Sequence, residues 1–517
     1  MTKQKILTSI QKSSQDKQKI GFSTEKYLEK QTKEILERVS KFEKLYLEFG
    51  GKLCYDMHAS RVLPGYDATA KVELLKKLGD IEIIYCISAK DIERGRVRRD
   101  FGLTYDNQTL KDISDIKDFG LKVSSVVITR YSDEHSVKIF KKKLENFKIK
   151  VYIHKEIEGY PNDIKKVLAG YKKQPYIKTK KKLVIITGAG GNSGKMATCL
   201  SQIYHERRKN FTTGFAKFET FPIWNLKLNH PINTAYEAAT ADLQDVNMID
   251  SFHKKAYNKT VVNYNRDIEN FAILKKLMKG ITREQNPFGY KSPTDMGVNT
   301  AKVGIINDEL CQEASKKEII RRFFRYHREK IEGIETQETI DRMKEIMKKS
   351  KVEPESRVVV KKARKAAIEA EKQGKGFKNI FCGAAIELKN GKVVAGKNSL
   401  LLHAESAVIL NALKELSNIP DSVDLIDNKV TKVIIKMKKG LFSQKACSLN
   451  VDETLIALAV SSTTNPKTKM ALDKLKELET CEMHVTHLPT QGDEAGLTRL
   501  SMNITTDAKL SSLPYFQ

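Results

Sequence analysis

Short apolar runs alternate with helix-type patterns through the first third of the chain. Each run is rich in β-branched side chains, which is typical of buried strands. The predicted strands are 81–87, 123–129 and 150–154, and the predicted helices are near 67–78, 107–119 and 134–146. Parallel strands need a crossover between them, and a helix usually supplies it. The alternation therefore predicts an α/β fold with a doubly wound parallel sheet.

Three further segments extend this pattern. Residues 24–49 carry apolar side chains at helical spacing and stop at Gly50-Gly51, so they predict one helix. Residues 301–308 predict another strand. Residues 315–347 predict a helix, and the pattern stays helical and charged through residue 371. This last stretch predicts a helical subdomain.

A different pattern begins after residue 376. Apolar runs at 381–388 and 392–396 flank a Lys-Asn-Gly turn, and Asn-Gly suits the type I′ turn of a β-hairpin. His403, Ala404 and Glu405 then open a helix. A hairpin followed by a helix that starts with His-Ala-Glu resembles the cytidine-deaminase fold, in which that histidine binds zinc and that glutamate moves protons. We therefore predict a C-terminal α/β domain of deaminase-like topology.

The zinc site of a deaminase is incomplete in this sequence. The Pro-Cys-x-x-Cys segment is absent, and Cys447 and Cys481 stand singly with no adjoining proline. Catalytic zinc needs three placed ligands, so we expect neither zinc nor deaminase chemistry. Cys481, His484 and His487 alternate in part along a predicted strand, for which a surface strand is favoured over a metal site.

The most distinctive polar segment follows the apolar run 183–187. Its glycines let backbone N–H groups face an anion, and the predicted helix from about Met196 adds positive charge at its N-terminus. This pattern predicts a P-loop-like phosphate cradle. The predicted nucleotide-binding residues are Gly188, Gly190, Gly191, Asn192, Ser193, Gly194 and Lys195.

The cradle departs from the P-loop consensus in two ways. Ala189 follows the first glycine, which lies one residue further upstream than the consensus requires. Met196 also stands where a serine or threonine would bind magnesium, so Mg²⁺ would need another ligand. The alternative is a tight strand-to-helix turn without a ligand.

Residues 214–226 predict a strand that ends in a loop, and a dense group of acids and amides follows this segment. We predict catalytic roles for Lys195, Asp242 and Arg266, and Mg²⁺ binding by Asp242 and Asp250. The predicted substrate-binding residues are Glu219, Asn263, Asn265 and Asp295. The alternative for each of them is a helix cap or a turn residue.

The chain of 517 residues has a net charge of +28, which raises the question of nucleic-acid binding. The lysines are spread along the whole chain without interleaved aromatic residues, so a nucleic-acid partner is not favoured. No apolar run approaches the roughly 20 residues of a membrane span, and the N-terminus lacks a secretory core. We therefore expect a cytoplasmic protein without a membrane partner.

Several long strings resemble a bacterial family catalogued as domain of unknown function 1846. They are HASRVLPG, VSSVVIT, NSGKMATCLSQIYHE, AKFETFPIWNL, AYEAATADL, DVNMID, VNYNRD, KSPTDMGVN and EASKKEIIRR. The resemblance runs along nearly the full length and implies a Rossmann-like or P-loop-like N-terminal region, a helical insert and a deaminase-like C-terminal domain. It implies no activity. The family's loop is nearer to Pro-Gly-Pro-Gly-Ser-Gly-Lys, whereas this chain has Gly190-Gly191-Asn192 and keeps Lys195.

These patterns predict four segments, with the second sharing or packing on the sheet of the first. They are 1–180 (Rossmann-like), 181–312 (P-loop-like), 313–375 (helical) and 376–517 (deaminase-like). The function that we predict is an ATP- or other nucleotide-dependent enzyme of kinase or ligase type acting on a small polar substrate. The alternatives are a Rossmann-type nucleotide- or dinucleotide-binding enzyme or sensor without phosphoryl transfer, and a basic RNA-binding scaffold. A homo-oligomer is compatible with the sequence.

Overall fold

The computed structural model describes residues 20–95, 97–98, 103–377, 379–441 and 448–510. Contacts between residues divide them into two compact units. The first unit comprises 20–240 and Asp245–Ser315, and the second comprises Ala241–Gln244 and 316–510. Cys447, one of the two single cysteines after the predicted hairpin, lies outside the described residues.

Eleven strands and thirteen complete helices are described in the first unit. The strands are β1 (Lys44–Phe49), β2 (Ile81–Ser88), β3 (Val97–Arg98), β4 (Leu103–Thr104), β5 (Val123–Tyr131), β6 (Lys150–Lys155), β7 (Leu183–Gly188), β8 (Thr213–Phe218), β9 (Asn247–Ile249), β10 (Val262–Tyr264) and β11 (Gly297–Val298). The helices are α1 (Thr24–Ser40), α2 (Met57–Val62), α3 (Ala70–Leu78), α4 (Ala89–Glu93), α5 (Tyr105–Asp118), α6 (His135–Asn146), α7 (Ile164–Lys173), α8 (Lys195–Arg207), α9 (Pro231–Ala239), α10 (Ser251–Tyr257), α11 (Asn265–Thr282), α12 (Pro293–Met296) and α13 (Ala301–Gly304).

Seven of these strands form one parallel sheet. Their order is β11-β8-β1-β7-β2-β5-β6, and all neighbours are parallel. The strand β7, which ends at the glycine run, therefore lies between β1 and β2 in the middle of the sheet. Segments 1–180 and 181–312 thus contribute strands to the same sheet.

Alternation along each strand divides the side chains between two faces of this sheet. Tyr46, Val184 and Phe215 lie on the face that packs against α7, α8 and α11, in one core with residues such as Leu200 and Phe271. On the opposite face Phe49 stacks on Phe218, with ring centroids 4.0 Å apart and planes 2° apart. Helices cover the first of these faces as a parallel sheet requires.

The second unit has its own smaller sheet. Its strands are β12 (Gly383–Glu387), β13 (Val393–Lys397), β14 (Glu482–Val485) and β15 (Asn503–Thr506), in the order β13-β12-β14-β15. The pair β14–β15 is parallel and the other two pairs are antiparallel. Its helices are α14 (Asp308–Ile331, which contains the boundary between the units), α15 (Gln337–Ser350), α16 (Val358–Lys372), α17 (Ala404–Leu416), α18 (Asn428–Leu441), α19 (Val451–Ser461), α20 (Pro466–Asp473) and α21 (Gln491–Arg499).

The strands predicted near 81, 123 and 150 are confirmed, as are the hairpin β12–β13 and the helix after His403. The mixed α/β class is therefore confirmed. No helix among the described residues combines the length and the apolar character that a membrane span requires.

Four predictions of single elements are wrong. The helix predicted over 24–49 ends at Ser40, and β1 follows it, because the apolar run after Lys44 pairs with both β7 and β8. Residues 301–308 contain the short helix α13 at Ala301–Gly304, and no strand forms there. The helix predicted over 315–347 is two helices, broken near Gly333 at φ 74°. The strand around His484 is not at the surface, since β12 and β15 flank it and its centre is buried.

A buried ion pair at the amino end of β1 yields a stability prediction. Lys44 Nζ lies 2.7 Å from Glu206 Oε1, and the hydroxyls of Tyr46 and Tyr176 donate to the same oxygen at 3.0 Å. Lys44→Met leaves the buried carboxylate without its counter-charge. We expect the free energy of unfolding to fall by about 3–5 kcal/mol.

Urea unfolding followed by the fluorescence of Trp224, the single tryptophan, reports on this unit. The matched control is Lys76→Met, which removes an exposed ion pair with Glu73 and should cost less than about 1 kcal/mol. Equal losses in the two variants would contradict a buried, unscreened pair.

Candidate functional site

The core face of the seven-stranded sheet turns polar at its carboxyl edge. Glu48 follows Tyr46 by two residues on β1, and Lys217 follows Phe215 by two on β8. The register pairs Glu48 with Lys217 on one side and with Ile186 on the other. The two charges therefore share a face of the sheet, next to the end of β7.

Lys217 is held by carboxylates from other elements. Its Nζ donates to both oxygens of Asp267, in the first turn of α11, at 2.7 Å each. Glu219 Oε1 lies 4.0 Å from the same Nζ. Lys217, Glu219 and Asp267 are all buried, so the charges act on one another with little screening by water.

Burial and neighbouring charges together shift the pKa values of Glu219 and Lys217. Burial, with the charges of Asp267 and Glu48 nearby, raises the pKa of Glu219 to about 8, although Lys217 works against the shift. Burial alone would lower the pKa of Lys217, but Asp267, Glu48 and Glu219 outweigh it and raise that pKa. Glu48 Oε2 is buried and has no hydrogen-bond partner among the described residues. The group thus combines a lysine, a carboxyl group with a raised pKa and an unsatisfied carboxylate oxygen.

The glycine run forms a loop between β7 and α8. Gly194 caps α8 in the left-handed conformation at φ 82°, and a Cβ there would meet the side chain of Thr129. Thr129 Oγ1 donates to the carbonyl of Ser193 at 2.9 Å, which fixes the loop from β5. Within the described chain, the backbone N–H groups from Gly190 to Lys195 donate to no residue. The loop therefore presents a row of unpaired donors at a helix N-terminus.

Lys195 is half-buried at the start of α8. Its Nζ donates to the carbonyl of Gly190 at 3.0 Å and to Ser193 Oγ at 3.3 Å. Burial lowers the pKa of Lys195, and the positive charges of Lys217 and Arg266 lower it further, whereas Glu48 opposes them. These interactions place the glycine loop and the buried charge group in one electrostatic site.

A small cavity adjoins the loop at the ends of β2 and β7. Tyr85 Oη donates to Asp112 Oδ2 at 2.5 Å in its wall. The lining residues are Lys52, Leu53, Cys54, Tyr55, Tyr85, Asp112, Thr187 and Gly188. The first glycine of the loop thus borders a concave surface at the carboxyl edge, where parallel α/β sheets bind ligands.

Comparison with known proteins gives the family of the chain. Residues 20–351 match the domain of unknown function DUF1846, N-terminal, and residues 355–516 match its C-terminal counterpart. The chain belongs to the DUF1846 family. It is similar to a UPF0371 protein of Clostridium tetani (strain Massachusetts / E88), at 49% identity over 96% of this chain and 98% of the relative. A UPF0371 protein of Clostridium botulinum (strain ATCC 19397 / Type A) is 48% identical with the same coverage.

Four of the predicted site residues have local structural roles in this DUF1846 chain. Asp250 caps α10 and accepts two hydrogen bonds from Thr294, and Asp295 belongs to the capping box of α12. Asn263 Nδ2 lies 3.4 Å from Thr294 Oγ1. Asn265 Oδ1 accepts from the amide of Val246. Asp250 and Asp295 thus make the contacts of the cap alternative, and the predicted binding roles of all four residues stay predictions.

The remaining predicted residues are distributed between the units. Glu219 lies in the buried charge group. Arg266 donates to Asp245 Oδ2 at 2.9 Å and acts electrostatically on Lys195. Asp242 belongs to the second unit, where Tyr326 Oη donates to it at 3.1 Å. A metal-binding role for Asp242 stays a prediction.

Glu48, Lys217 and Asp267 are not among the predicted site residues of this DUF1846 chain, and of these three only Glu48 was also assigned to the wrong kind of element. The single helix predicted over 24–49 placed it on a helix next to the Gly50-Gly51 stop. A usable signal was the run Lys44–Phe49, six residues long and mostly apolar, which follows the helix end and precedes two glycines. A buried strand often has this length, and it can carry one charge near its carboxyl end.

The raised pKa of Glu219 predicts a pH-dependent stability. Between its ordinary value and about 8, the folded chain keeps a proton that the unfolded chain releases, so stability falls as pH rises through this window. Glu219→Gln mimics the protonated form and removes this titration. We expect the melting temperature of the variant minus that of the wild type to increase from pH 5 to pH 8.5. Parallel curves over that range would show that the Glu219 carboxyl does not titrate there.

Proposed function

We propose that the first unit is a P-loop-like nucleotide-binding module and that the protein is an ATP- or other nucleotide-dependent enzyme of kinase or ligase type. The observation that carries the proposal is the row of unpaired N–H groups from Gly190 to Lys195, held beside the buried charge group of Glu48, Lys217, Glu219 and Asp267. Backbone donors at a helix N-terminus favour phosphate oxygens.

The position of Lys195 supports its proposed role in phosphate binding. Among the residues that the structure describes, the ammonium group donates only to a carbonyl and a hydroxyl, both within its own loop. A phosphate at the loop would offer a full negative charge instead, which is the stronger partner. Lys195 would then neutralise charge on the transferred group, as phosphoryl transfer requires.

Glu48 is the carboxylate that best fits Mg²⁺ in place of the missing serine or threonine. Its Oε2 is buried and unsatisfied within the described chain, and it acts on Lys195 at the loop. Mg²⁺ would supply charge neutralisation at the phosphates. Lys217 keeps the neighbouring carboxylates compensated, and Glu219 holds a proton near neutral pH that a reacting group could receive.

A Rossmann-type site without phosphoryl transfer is the second candidate. Glu219 follows β8, the next long strand after the glycine loop, where a dinucleotide fold has the acid that binds the ribose. Against this candidate, β1 lies between β7 and β8, so the acid is one strand further from the loop than in that fold. The phosphoryl-transfer proposal therefore has the stronger support.

We also propose a cytidine-deaminase-like topology for the second unit. The support is the antiparallel pair β12–β13 followed by α17, with β14 and β15 completing the sheet. The proposal concerns topology and not deamination, because the cysteine pair of the deaminase zinc site is missing from the sequence.

Calorimetric titration of the full chain with ATP, ADP, GTP and NAD, with and without Mg²⁺, tests the nucleotide proposal. We expect Mg²⁺-dependent ATP binding that Lys195→Ala weakens by about 10- to 150-fold, since a charged hydrogen bond contributes about 1.5–3 kcal/mol. Lys276→Ala, on the exposed side of α11, is the matched control and should bind like the wild type.

Glu48→Gln distinguishes the contribution of Mg²⁺ binding from that of nucleotide binding. It should leave binding of metal-free nucleotide intact and remove most of the gain from Mg²⁺. If a folded wild-type chain binds no nucleotide, the proposal is wrong. Binding of NAD alone would support the Rossmann-type candidate, and binding of RNA with steep salt dependence would support the scaffold. A positive ATP result leads to assays of γ-phosphate release with small polar acceptors.

A further inference from the structure

A group of histidine and carboxylate side chains lies inside the second unit. His403 occupies the N-cap position of α17, and Glu405 lies in its first turn. Asp493 lies in the first turn of α21, and His487 follows β14. His403 and Glu405 are more than 80 residues from His487 and Asp493 in the sequence, and the pairing of β12 with β14 brings these two parts of the chain together.

The potential ligand atoms are close enough to share an ion. One ligand atom each from His403, Glu405 and Asp493 lies within 4.8 Å of the other two. His403 Nδ1 is 2.7 Å from Asp493 Oδ2. Glu405 and Asp493 are fully buried, whereas His403 retains some exposure, so one side of the group faces solvent.

Glu405 supplies a second, independent observation. Neither of its carboxylate oxygens has a hydrogen-bond partner among the described residues, although the side chain is fully buried. His487 Nε2 comes within 3.1 Å of Oε1 without meeting hydrogen-bond geometry, and His487 Nδ1 is also unsatisfied. Buried carboxylates are normally satisfied by several donors, because an unpaired one is costly.

We infer that His403, Glu405 and Asp493 form a binding site for a divalent transition metal of the Zn²⁺ type. Imidazole nitrogen with two carboxylates favours such a metal over Mg²⁺ or Ca²⁺, which prefer oxygen ligands alone. Cys382 interacts with His487 and adds a thiol to the surroundings of the site. A deaminase zinc site contains a cysteine pair, whereas this set contains two carboxylates.

The arrangement has the form of an open site. Three protein ligands leave a fourth position, and the partial exposure of His403 gives that position access to water. Asp493 is further tied by the amide of Val451, which donates to Oδ1 at 2.9 Å, and by Thr490 Oγ1, which donates to Oδ2 at 2.6 Å. These bonds hold one ligand in place before any metal binds.

The test uses the full chain after removal of metal with a chelator. We expect calorimetry with ZnCl₂ to show one Zn²⁺ per chain and a raised melting temperature. Glu405→Gln and Asp493→Asn each keep the shape of the side chain and should weaken Zn²⁺ binding at least tenfold. Glu494→Gln changes the neighbouring residue of α21, whose carboxylate pairs with Arg328, and should bind Zn²⁺ like the wild type.

Circular dichroism establishes that each variant is folded, and visible absorption of the Co²⁺-loaded wild type gives a readout that needs no variant. An absorption spectrum typical of Co²⁺ with a low coordination number would support the site even if a variant fails to fold. Absence of stoichiometric Zn²⁺ binding by the wild type, or unchanged binding by both Glu405→Gln and Asp493→Asn, would overturn the inference. The group would then be a metal-free ion pair of His487 and Glu405.

Discussion

The candidate site of the first unit depends on one buried ammonium group. Lys217 lies against Asp267 and near Glu219 and Glu48, and none of these charges could be buried at comparable cost without it. Three carboxyl groups face one lysine here, so the charge does not balance fully. Glu219 responds by keeping its proton, and Glu48 keeps an oxygen without a hydrogen bond. Such incomplete compensation is common where chemistry occurs.

The strand order explains why the charge group and the glycine loop form one site. β1 is inserted between β8 and β7, so Glu48 stands between Lys217 and the start of the loop. The helices α8 and α11 then cover the same face, and each brings a charged residue to the edge with its first turn. The apolar face below holds these helices in place and makes their N-termini converge.

The second unit also buries carboxylates, but different residues lie beside them. The Glu405 and Asp493 carboxylates are buried near His403 and His487, and this group of four residues contains no lysine or arginine. Imidazole compensates a carboxylate only when it is protonated, or when both bind a cation. The two sites therefore differ more in how their buried carboxylates are compensated than in the sheets that carry them.

Local pattern was sufficient for most elements of the fold. Apolar runs such as 81–87 and 123–129 are short and rich in β-branched residues, which favours a buried strand over a buried helix segment. The glycine run after residue 187 likewise identified a strand-to-helix loop, since its residues suit backbone conformations that other residues avoid. The Asn-Gly sequence likewise identified the hairpin, where Gly391 adopts φ 83°. Asn390 is not at positive φ, so the turn is not the expected type I′. These features are encoded over a few neighbouring residues, and tertiary contacts did not change them.

Only the tertiary structure decided which polar residues meet. Asp250, Asn263 and Asp295 have the same residue types as a ligand site. The two aspartates cap helices through nearby residues, whereas Asp250 and Asn263 both contact Thr294, which is distant in sequence. Glu48 became a site residue because β7 and β8 pair with the run that contains it, which overrides its helical spacing. His403 and Asp493 are 90 residues apart, and strand pairing brings them together. The sequence thus determined most of the elements, whereas β1 and the chemistry of each site depend on non-local pairing that no short pattern encodes.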